Sequence, residues 1–335
     1  MPKLSELEQQ IFAVESPNDF NELSLKIFQY QFENNAVYRK YAQNIGKEPS
    51  NVLSPESIPF LPISFFKTHK VVTYNKPSEI IFSSSGTGNN GNSKHHIAKL
   101  SVYEDSFTKG FKKFYGDAED YVILALLPSY LERGGSSLVY MAQKLIEKSK
   151  HPESGFYLND YEKLYDMLLS LKAARTKVVL LGVSYALLDM VEKFDLSTYG
   201  QSSSQLIVME TGGMKGRRKE MVKEELHDIL CKGFGVESIH SEYGMTELLS
   251  QAYSTGGGIF NCPPWMQLKI RDVNDPFCLL EQGKSGGINL IDLANIYSCS
   301  FIETQDLGKI YNDGSFEIIG RFDNSDVRGC NLMVY

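Results

Sequence analysis

The chain has 335 residues, of which 42% are hydrophobic and 22% are charged. A chain of this length buries a large core, and its net charge of −7 with dispersed lysine and arginine argues against nucleic acid as a partner. No signal-peptide pattern and no apolar run long enough to span a bilayer occurs, so we expect a cytoplasmic protein without a membrane span. Five scattered cysteines without zinc-ligand spacing fit reduced thiols in that compartment.

The first predicted elements are helices. Apolar and aromatic residues recur at helical spacing through residues 3–45, with a break at Ser16 and Pro17. Residues 55–67 hold three prolines among apolar residues, which predicts an extended, packed connector. We therefore expect residues 1–54 to form an N-terminal helical segment.

Strands and helices alternate through residues 55–254. The predicted strands are EIIFSSS (79–85), YVILALLPS (121–129), TKVVLLGVS (176–184) and SQLIVMETGG (204–213). The predicted helices that follow them are 101–115, 136–149, 185–194 and 217–230. Continuous Val, Ile and Leu runs between helices are typical of a parallel sheet covered by helices, which indicates an α/β core.

The pattern changes from residue 255 onward. Short strands punctuated by Gly, Pro and Asp follow one another, among them MQLKIRDV (266–273), GGINLIDL (286–293) and FEIIGRF (316–322). Such punctuation is typical of antiparallel structure. We expect residues 255–335 to form a β-rich subregion that ends in a short C-terminal tail.

One loop is rich in glycine and hydroxyl side chains: SSSGTGNNGNSKHH, residues 83–96. It follows a predicted strand and precedes a predicted helix, which is where α/β proteins bind ligands. Glycines let backbone N–H groups approach an anion, and hydroxyls add donors. The same composition suits a flexible linker, and neither a Walker loop nor G-x-G-x-x-G is present, so both interpretations stay open.

A second polar stretch is HSEYGMTELLSQ, residues 240–251. A carboxylate beside a hydroxyl suits a Mg²⁺ and phosphate site, and the ring of Tyr243 offers a face to a base. The alternative is a helix N-terminus with Thr246 and Glu247 in its first turn. His240, three residues before Tyr243, is a further candidate for an acyl or nucleotide contact.

Four segments occur in a familiar order: SSSGTGNNGNSK, EYGMTE, TQD (304–306) and GRFDNSDVRG (320–329). This set resembles the motifs of the adenylate-forming superfamily, and the chain most resembles its LuxE-type acyl-protein synthetases, which are related to phenylacetate-CoA ligases. The resemblance implies the large N-terminal domain of that superfamily, with helix-covered mixed sheets. It also implies a ligase that uses ATP and Mg²⁺ to convert a carboxylic acid, in this family a fatty acid, to acyl-AMP.

The resemblance assigns roles in the glycine-rich loop. Ser84, Ser85, Gly86 and Thr87 match the loop that holds the β- and γ-phosphates of ATP. Lys94 stands at the basic position of the same motif.

Further roles concern the base and the sugar. By the same resemblance Gly212 and Gly213 lie along the adenine, and Tyr243 packs on it. Asp306 accepts hydrogen bonds from the ribose hydroxyls, and Arg321 reaches the same sugar or a phosphate.

The reacting groups come last. Thr246 is implied to contact the α-phosphate and Glu247 to ligate Mg²⁺. Cys330 matches the C-terminal cysteine that takes the acyl group as a thioester in this family; the alternative is a small buried residue in a terminal strand. Only residues 322–335 follow Arg321, so we expect the chain to lack the C-terminal lid domain of typical members.

Three functions remain in competition. The first is an acyl-protein synthetase whose partner is an acyl-acceptor protein, such as an acyl reductase or a carrier protein. The second is an acyl- or aryl-CoA ligase of the phenylacetate-CoA ligase type. The third is a non-catalytic nucleotide- or acyl-binding subunit of a reductase complex.

Overall fold

The structure, a computed structural model, describes residues 4–84, 91–127, 135–199, 205–214, 217–219 and 221–322. The helices are α1 (Leu4–Ile11), α2 (Pro17–Asn34), α3 (Ala36–Asn44), α4 (Phe65–Thr68), α5 (Leu100–Tyr115), α6 (Ser137–Ser149), α7 (Tyr161–Ala174), α8 (Ser184–Lys193) and α9 (Lys223–Phe234). None of these described helices combines the length and the apolar character that crossing a bilayer requires.

The strands of the described part of the chain are shorter. They are β1 (Leu61–Pro62), β2 (Ile80–Ser83), β3 (Lys94–Ile97), β4 (Val122–Leu126), β5 (Gly155–Phe156), β6 (Val178–Val183), β7 (Leu206–Thr211), β8 (His240–Tyr243), β9 (Ala252–Ser254), β10 (Ile259–Asn261), β11 (Met266–Arg271), β12 (Ser285–Asp292), β13 (Phe301–Ile310) and β14 (Phe316–Arg321).

The N-terminal residues form three helices that pack on the sheet. The Ser16 hydroxyl accepts a hydrogen bond from the Asp19 N–H, and Pro17 occupies the first turn, which starts α2 after the predicted break. Asn35 ends α2 and caps α3, a second break that helical periodicity did not indicate. Tyr38 of α3 stacks on Phe301 of β13 with ring centroids 6.0 Å apart. The predicted helical character of this region is confirmed.

Five strands form a parallel block in the order β5, β4, β6, β7, β8. Every residue of β4 and β6 is buried, which accounts for their continuous apolar sequences. Six further strands of the same sheet continue in the order β9, β10, β14, β13, β12, β11 and are antiparallel to their neighbours in this order. Strand β1 also belongs to this sheet and pairs in parallel with β13 outside that order. The predicted α/β fold with mixed sheets and a β-rich end is confirmed.

Strand β8 forms the boundary between the parallel and antiparallel parts of this sheet. It runs parallel to β7 and antiparallel to β9, so the sheet changes character there. The sheet continues without a gap across residues 254 and 255, because β9 and β10 pair as a hairpin. The division of the chain into residues 1–54, 55–254 and 255–335 stays a prediction.

The glycine-rich loop has a different setting from the predicted one. Strands β2 and β3 form a separate two-stranded antiparallel sheet, with Ser83 opposite Lys94. The loop therefore connects the two strands of a hairpin, and α5 begins only at Leu100. The predicted helix follows as α5, but KHHI (94–97) first pairs with IIFS (80–83), a strand pairing that was not predicted.

Three local predictions also need correction. Helix α9 begins at Lys223 rather than at Arg217. Residues 244–251 contain a turn at Thr246 and Glu247 and no helix, so the helix N-terminus that was one interpretation of HSEYGMTELLSQ is absent. The proline-containing connector includes a 3₁₀ turn at Pro55–Ser57 and the short helix α4, so it is extended only in part.

Candidate functional site

The candidate site lies at the joint between the parallel and antiparallel parts of the sheet. In the parallel pair β7 and β8, Glu210 is opposite Ser241, and this is the last paired position. Gly212 and Tyr243 each lie two residues farther along the chain. Because the carboxyl ends of parallel strands meet at one edge of a sheet, the predicted residues on both strands reach the same edge.

Asp306 joins Tyr243 to Arg321. The Tyr243 hydroxyl donates to Asp306 Oδ2 at 2.8 Å, and Arg321 Nε donates to Asp306 Oδ1 at 2.7 Å. The second contact follows from register, since Asp306 on β13 and Arg321 on β14 are direct cross-strand partners. The carboxylate of Asp306 thus links Tyr243 and Arg321, which are far apart in the sequence.

The charges of Asp306 and Arg321 stabilise each other. Asp306 is only 5% exposed. The Asp306 carboxylate raises the pKa of Arg321, and burial, followed by the charge of Asp306, raises the pKa of Tyr243 well above its usual range. The ring of Tyr243 meets Phe260 and Phe316 edge-on, with centroids 6.0 and 5.9 Å away. Tyr243 is therefore neutral, and its ring is fixed on two sides.

Two side chains hold the backbone of the turn after β8. His95 Nδ1 donates to the Thr246 carbonyl at 2.9 Å, because a carbonyl only accepts, and His95 Nε2 then accepts from the Ser298 hydroxyl at 2.8 Å. Asn295 Nδ2 donates to the Glu247 carbonyl at 2.8 Å. Burial lowers the pKa of His95 to about 4, so this imidazole is neutral at pH 7.

Asp292 supports the same turn from its far end. Its carboxylate accepts from the N–H groups of Leu249 and Ser250, both at 2.9 Å, and from the Ser250 hydroxyl at 2.6 Å. The Ala294 N–H adds a fourth donor at 3.1 Å. Asp292 is fully buried, and its two oxygens are occupied by the chain's own donors.

Glu247 is the buried carboxyl group that faces the glycine-rich loop. It is 6% exposed and hydrogen-bonded to the Ser93 side chain. Burial raises the pKa of Glu247, while the Ser93 hydrogen bond and the positive charges of Arg321 and Lys67 act in the opposite direction. Deprotonation of Glu247 would therefore be favoured by a cation placed beside it.

The described part of the glycine-rich loop is its base. The Ser84 N–H donates to the Ser93 carbonyl at 3.1 Å, and the Ser93 N–H donates to Ser84 Oγ at 2.9 Å. These reciprocal bonds bring Ser84 next to the residue that contacts Glu247. Lys94 is exposed on the adjoining strand.

Four predicted site residues have no described position. Ser85, Gly86, Thr87 and Cys330 all lie outside the described residues. Their roles in phosphate binding and in acyl transfer stay predictions.

Gly212 and Gly213 follow β7 and are exposed, with φ of 76° and 65°. Residues with a side chain rarely adopt this left-handed backbone, so glycine suits both positions. Within the part of the chain that the structure describes, a Cβ on Gly213 would meet nothing within 4 Å.

The donor set fits a magnesium ion bound mainly through phosphate. Among the described residues, no group of three or more His, Cys, Asp or Glu side chains is arranged to hold a metal ion. Mg²⁺ commonly takes one or two carboxylates and completes its shell with phosphate oxygens and water. Glu247 fits the role of the single protein carboxylate in such a shell.

Comparison with known proteins identifies the family. The family model "Acyl-protein synthetase, LuxE" matches residues 15–335. The chain belongs to the LuxE acyl-protein synthetase family. No curated protein is similar enough to this LuxE-family chain to count as a relative.

Solved structures of adenylate-forming ligases share the fold of this LuxE-family chain. An open conformation of 2-hydroxyisobutyryl-CoA ligase with 2-HIB-AMP and CoA matches 97% of this chain and 80% of its own, with a TM-score of 0.68 and 13% identity. ATP-bound MatB from Rhodopseudomonas palustris matches 74% of this chain, with a TM-score of 0.54 and 16% identity. The LuxE-family chain spans about half the length of the MatB structure, 49%.

Some positioning residues were not predicted from sequence. His95 is buried and bonded to the Thr246 carbonyl, a contact that the sequence does not indicate. Asp292 and Asn295 were not singled out at all. Alternation within KHHI could have assigned one histidine to the interior, whereas nothing near Asp292 in the sequence indicates its partners.

Proposed function

We propose that this chain activates a carboxylic acid with ATP, forming an acyl-AMP and pyrophosphate. The observation that carries the proposal is the Asp306 carboxylate, which joins Tyr243 and Arg321 beside the buried Glu247. This arrangement combines an aromatic face, a hydroxyl-binding carboxylate, a guanidinium and a metal-ligand carboxylate at one sheet edge. These are the groups that a nucleoside triphosphate requires.

In this proposal the corner residues bind the nucleoside. The Tyr243 ring lies against the adenine, and Gly212 and Gly213 let the backbone approach it. Asp306 accepts from the ribose hydroxyls, exchanging part of its present hydrogen bonding for the sugar. Arg321, whose side chain is 73% exposed, reaches the sugar or a phosphate.

The phosphates would lie between the turn and the glycine-rich loop. Thr246 contacts the α-phosphate, while Ser84, Ser85, Gly86, Thr87 and Lys94 surround the β- and γ-phosphates. Glu247 would hold Mg²⁺, which supplies neutralisation of phosphate charge when bound. An oxygen of the acid forms a bond to the α-phosphorus as the bond to the bridging oxygen breaks, and pyrophosphate leaves with that electron pair. No protein base is needed, because the acid reacts as a carboxylate.

The first test is acid-dependent pyrophosphate release from ATP. Wild-type protein with Mg²⁺, ATP and a panel of carboxylic acids should release pyrophosphate and form AMP esters detectable by mass spectrometry. Release of ADP and phosphate without acid dependence would contradict the proposal. A bound but unreacted nucleotide across the whole panel would favour the non-catalytic subunit instead.

The second step of the proposal is transfer of the acyl group to a protein thiol. Family membership supports this step, and Cys330 is the proposed acceptor, with an acyl reductase or a carrier protein as the final partner. The family resemblance predicts a fatty acid as the substrate. The thiolate attacks the acyl carbon and AMP leaves, so a thioester forms without a further co-reactant.

Cys330→Ser tests this transfer separately. The variant should still make acyl-AMP but should lose the hydroxylamine-sensitive acyl-enzyme seen with labelled acid and ATP. Cys278→Ser is the matched control, because Cys278 is an exposed free cysteine. Unchanged labelling of the Cys330 variant would contradict Cys330 as the acceptor. Absence of labelling from the wild type, with thioester formation only when free CoA is added, would favour the CoA-ligase alternative.

A further inference from the structure

Helix α4 brings a lysine to the edge of the candidate site. Strand β1 pairs in parallel with β13, with Pro62 opposite Glu303, and α4 begins three residues after Pro62. Asp306 lies three residues beyond Glu303 on β13. Because parallel strands run in the same direction, α4 follows β1 on the side of the sheet edge where Asp306 lies. Lys67 is exposed on this short helix.

Two aromatic contacts fix the position of α4. Phe66, the residue before Lys67, is 1% exposed and meets the His95 ring edge-on, with centroids 5.5 Å apart. Phe65 meets Tyr41 of α3 in the same manner, with centroids 5.8 Å apart. The backbone that carries Lys67 is therefore anchored to the imidazole that holds the turn after β8.

The same anchor leads to Glu247. Ser93 and His95 are two residues apart and are 2% and 1% exposed, which is the spacing of side chains that share one face of a strand. Ser93 is hydrogen-bonded to Glu247. Burial raises the pKa of Glu247, and the positive charges of Arg321 and Lys67 oppose that rise. Two cations from different elements therefore act on this one carboxyl group.

The two cations differ in what they already bind. Arg321 donates to Asp306 at 2.7 Å. Among the described residues, no carboxylate lies within 4.0 Å of the Lys67 ammonium, although the exposed Lys112 and Lys150 each have a carboxylate 2.8 Å away. The ammonium of Lys67 is therefore available to an anion that enters the site.

We propose that Lys67 is a catalytic residue of acid activation, and that its ammonium contacts both the α-phosphate of ATP and the carboxylate of the acid. This inference rests on the proposed function. The reaction brings two anions together, and a positive charge beside both reduces their repulsion. An ammonium suits this place because it is a compact charge whose three donors can be divided between two oxygens.

Lys67 keeps its proton throughout the step. The carboxylate oxygen forms a bond to the α-phosphorus, the bond to the bridging oxygen breaks, and pyrophosphate leaves with that electron pair. Lys94 and the glycine-rich loop are proposed to hold the departing β- and γ-phosphates, whereas Lys67 would act where the new bond forms. Its removal should therefore slow the reaction more than it weakens the binding of ATP.

Lys67→Met in the full chain tests this role. In the pyrophosphate-release assay, kcat/KM for the acid should fall about a hundredfold. The Kd for ATP with Mg²⁺, measured by calorimetry without acid, should change less than threefold, and the melting temperature should be unchanged because the side chain is exposed.

The outcomes of this test are distinct. Wild-type release by the Lys67 variant would overturn the inference and leave the proposed function intact. A loss of tenfold or more in ATP affinity would place Lys67 on the β- and γ-phosphates, which also overturns the inference. Absence of release from the wild type with every acid would overturn the proposed function and, with it, the inference.

Lys70→Met is the matched control. Lys70 is exposed three residues farther along the chain, and burial, followed by the charges of Lys70 and Lys94, lowers the pKa of His96. Release by this variant should change less than threefold. Equal losses in the Lys67 and Lys70 variants would contradict a contact of Lys67 with the reacting groups, because the net charge of this surface would then account for both.

Lys67→Arg separates the charge from the side chain. The guanidinium keeps the positive charge, so this variant should retain at least tenfold more activity than Lys67→Met. An arginine variant as slow as the methionine variant would contradict charge stabilisation by Lys67.

Discussion

Two buried carboxyl groups, Asp292 and Glu247, have different roles although both lie at the turn that follows β8. We assign a structural role to Asp292 and a functional role to Glu247. Asp292 is fully buried and accepts four hydrogen bonds from the chain. Among the described residues, Glu247, 6% exposed, accepts hydrogen bonds from the Ser93 side chain and from its own backbone N–H, and it has the positive charges of Arg321 and Lys67 within reach. The difference shows that burial alone does not identify a functional acid. What distinguishes a structural carboxylate from one that can bind a cation is the number of hydrogen bonds that it accepts from the rest of the chain.

Replacing Glu247 by glutamine gives the largest expected effect on activity. The variant should lose about a thousandfold in acid-dependent pyrophosphate release, because a metal-ligand carboxylate is removed at the phosphates. Its melting temperature should be unchanged or higher, since burial disfavours the charged carboxylate that is replaced. Glu303→Gln is a matched control at a half-buried glutamate whose pKa burial also raises. Wild-type turnover in the Glu247 variant would remove the metal assignment.

Asp292→Ala should have the reverse profile. It leaves four buried donors without an acceptor, and we expect a loss of about 3 kcal/mol in the free energy of unfolding, measured with urea. Asp313→Ala, at an exposed turn, should cost less than about 1 kcal/mol. If the Asp292 variant were as stable as wild type, the contrast between the two buried carboxylates would be wrong.

His95→Gln tests the role of a further buried group through the pH dependence of the free energy of unfolding. The folded-state pKa of His95, about 4, lies below its ordinary value near 6.5, so its stabilising contribution is present above pH 6.5 and is lost as the pH falls toward 4. The wild type should exceed the variant in unfolding free energy at pH 7, and this gap should narrow by roughly 2 kcal/mol by pH 4.5. A gap that is constant with pH would mean that His95 is not held neutral by burial.

Tyr243→Phe should act mainly on the nucleotide. The ring that would face the base remains, while the hydrogen bond to Asp306 is lost, so KM for ATP should rise about fivefold with little change in stability. The same variant should leave the preference among acids unchanged. A change in acid preference would indicate that Tyr243 faces the acyl group instead.

Arg218→Gln has the smallest expected effect. Arg218 pairs with Asp189 and Glu192 of α8. Pyrophosphate release should change less than threefold, because these ion pairs lie on the surface of α8 and no nucleotide contact is assigned to Arg218. A loss of tenfold or more in pyrophosphate release would indicate that Arg218 belongs to the candidate site.

Much of this architecture could be predicted from sequence because it follows local patterns. Apolar runs such as VVLLGV predicted a strand buried on both faces, and β6 is one. EYGMTE and TQD were recognised as motifs, and the structure brings Tyr243 and Asp306 within hydrogen-bond distance. The pairing of KHHI with IIFS was not predicted, because glycine-rich composition does not distinguish a hairpin from a strand-to-helix connection.

The contacts that could not be predicted join residues that are distant in the sequence. Asp292 contacts residues more than forty positions away, and His95 contacts Thr246 across 151 positions. Glu242 and Tyr253 meet only because β8 and β9 pair in one register. A single sequence carries local periodicity but not the register that brings such side chains together.

The most direct test of the account is isotope exchange between pyrophosphate and ATP. With Mg²⁺ and a carboxylic acid that supports pyrophosphate release, wild-type protein should incorporate labelled pyrophosphate into ATP, and incorporation should stop when the acid or the Glu247 carboxylate is removed. This result requires reversible formation of an acyl-AMP at the site described. Exchange that is independent of any acid, or its absence alongside release of ADP, would contradict the assignment of this sheet edge as an acid-activating site.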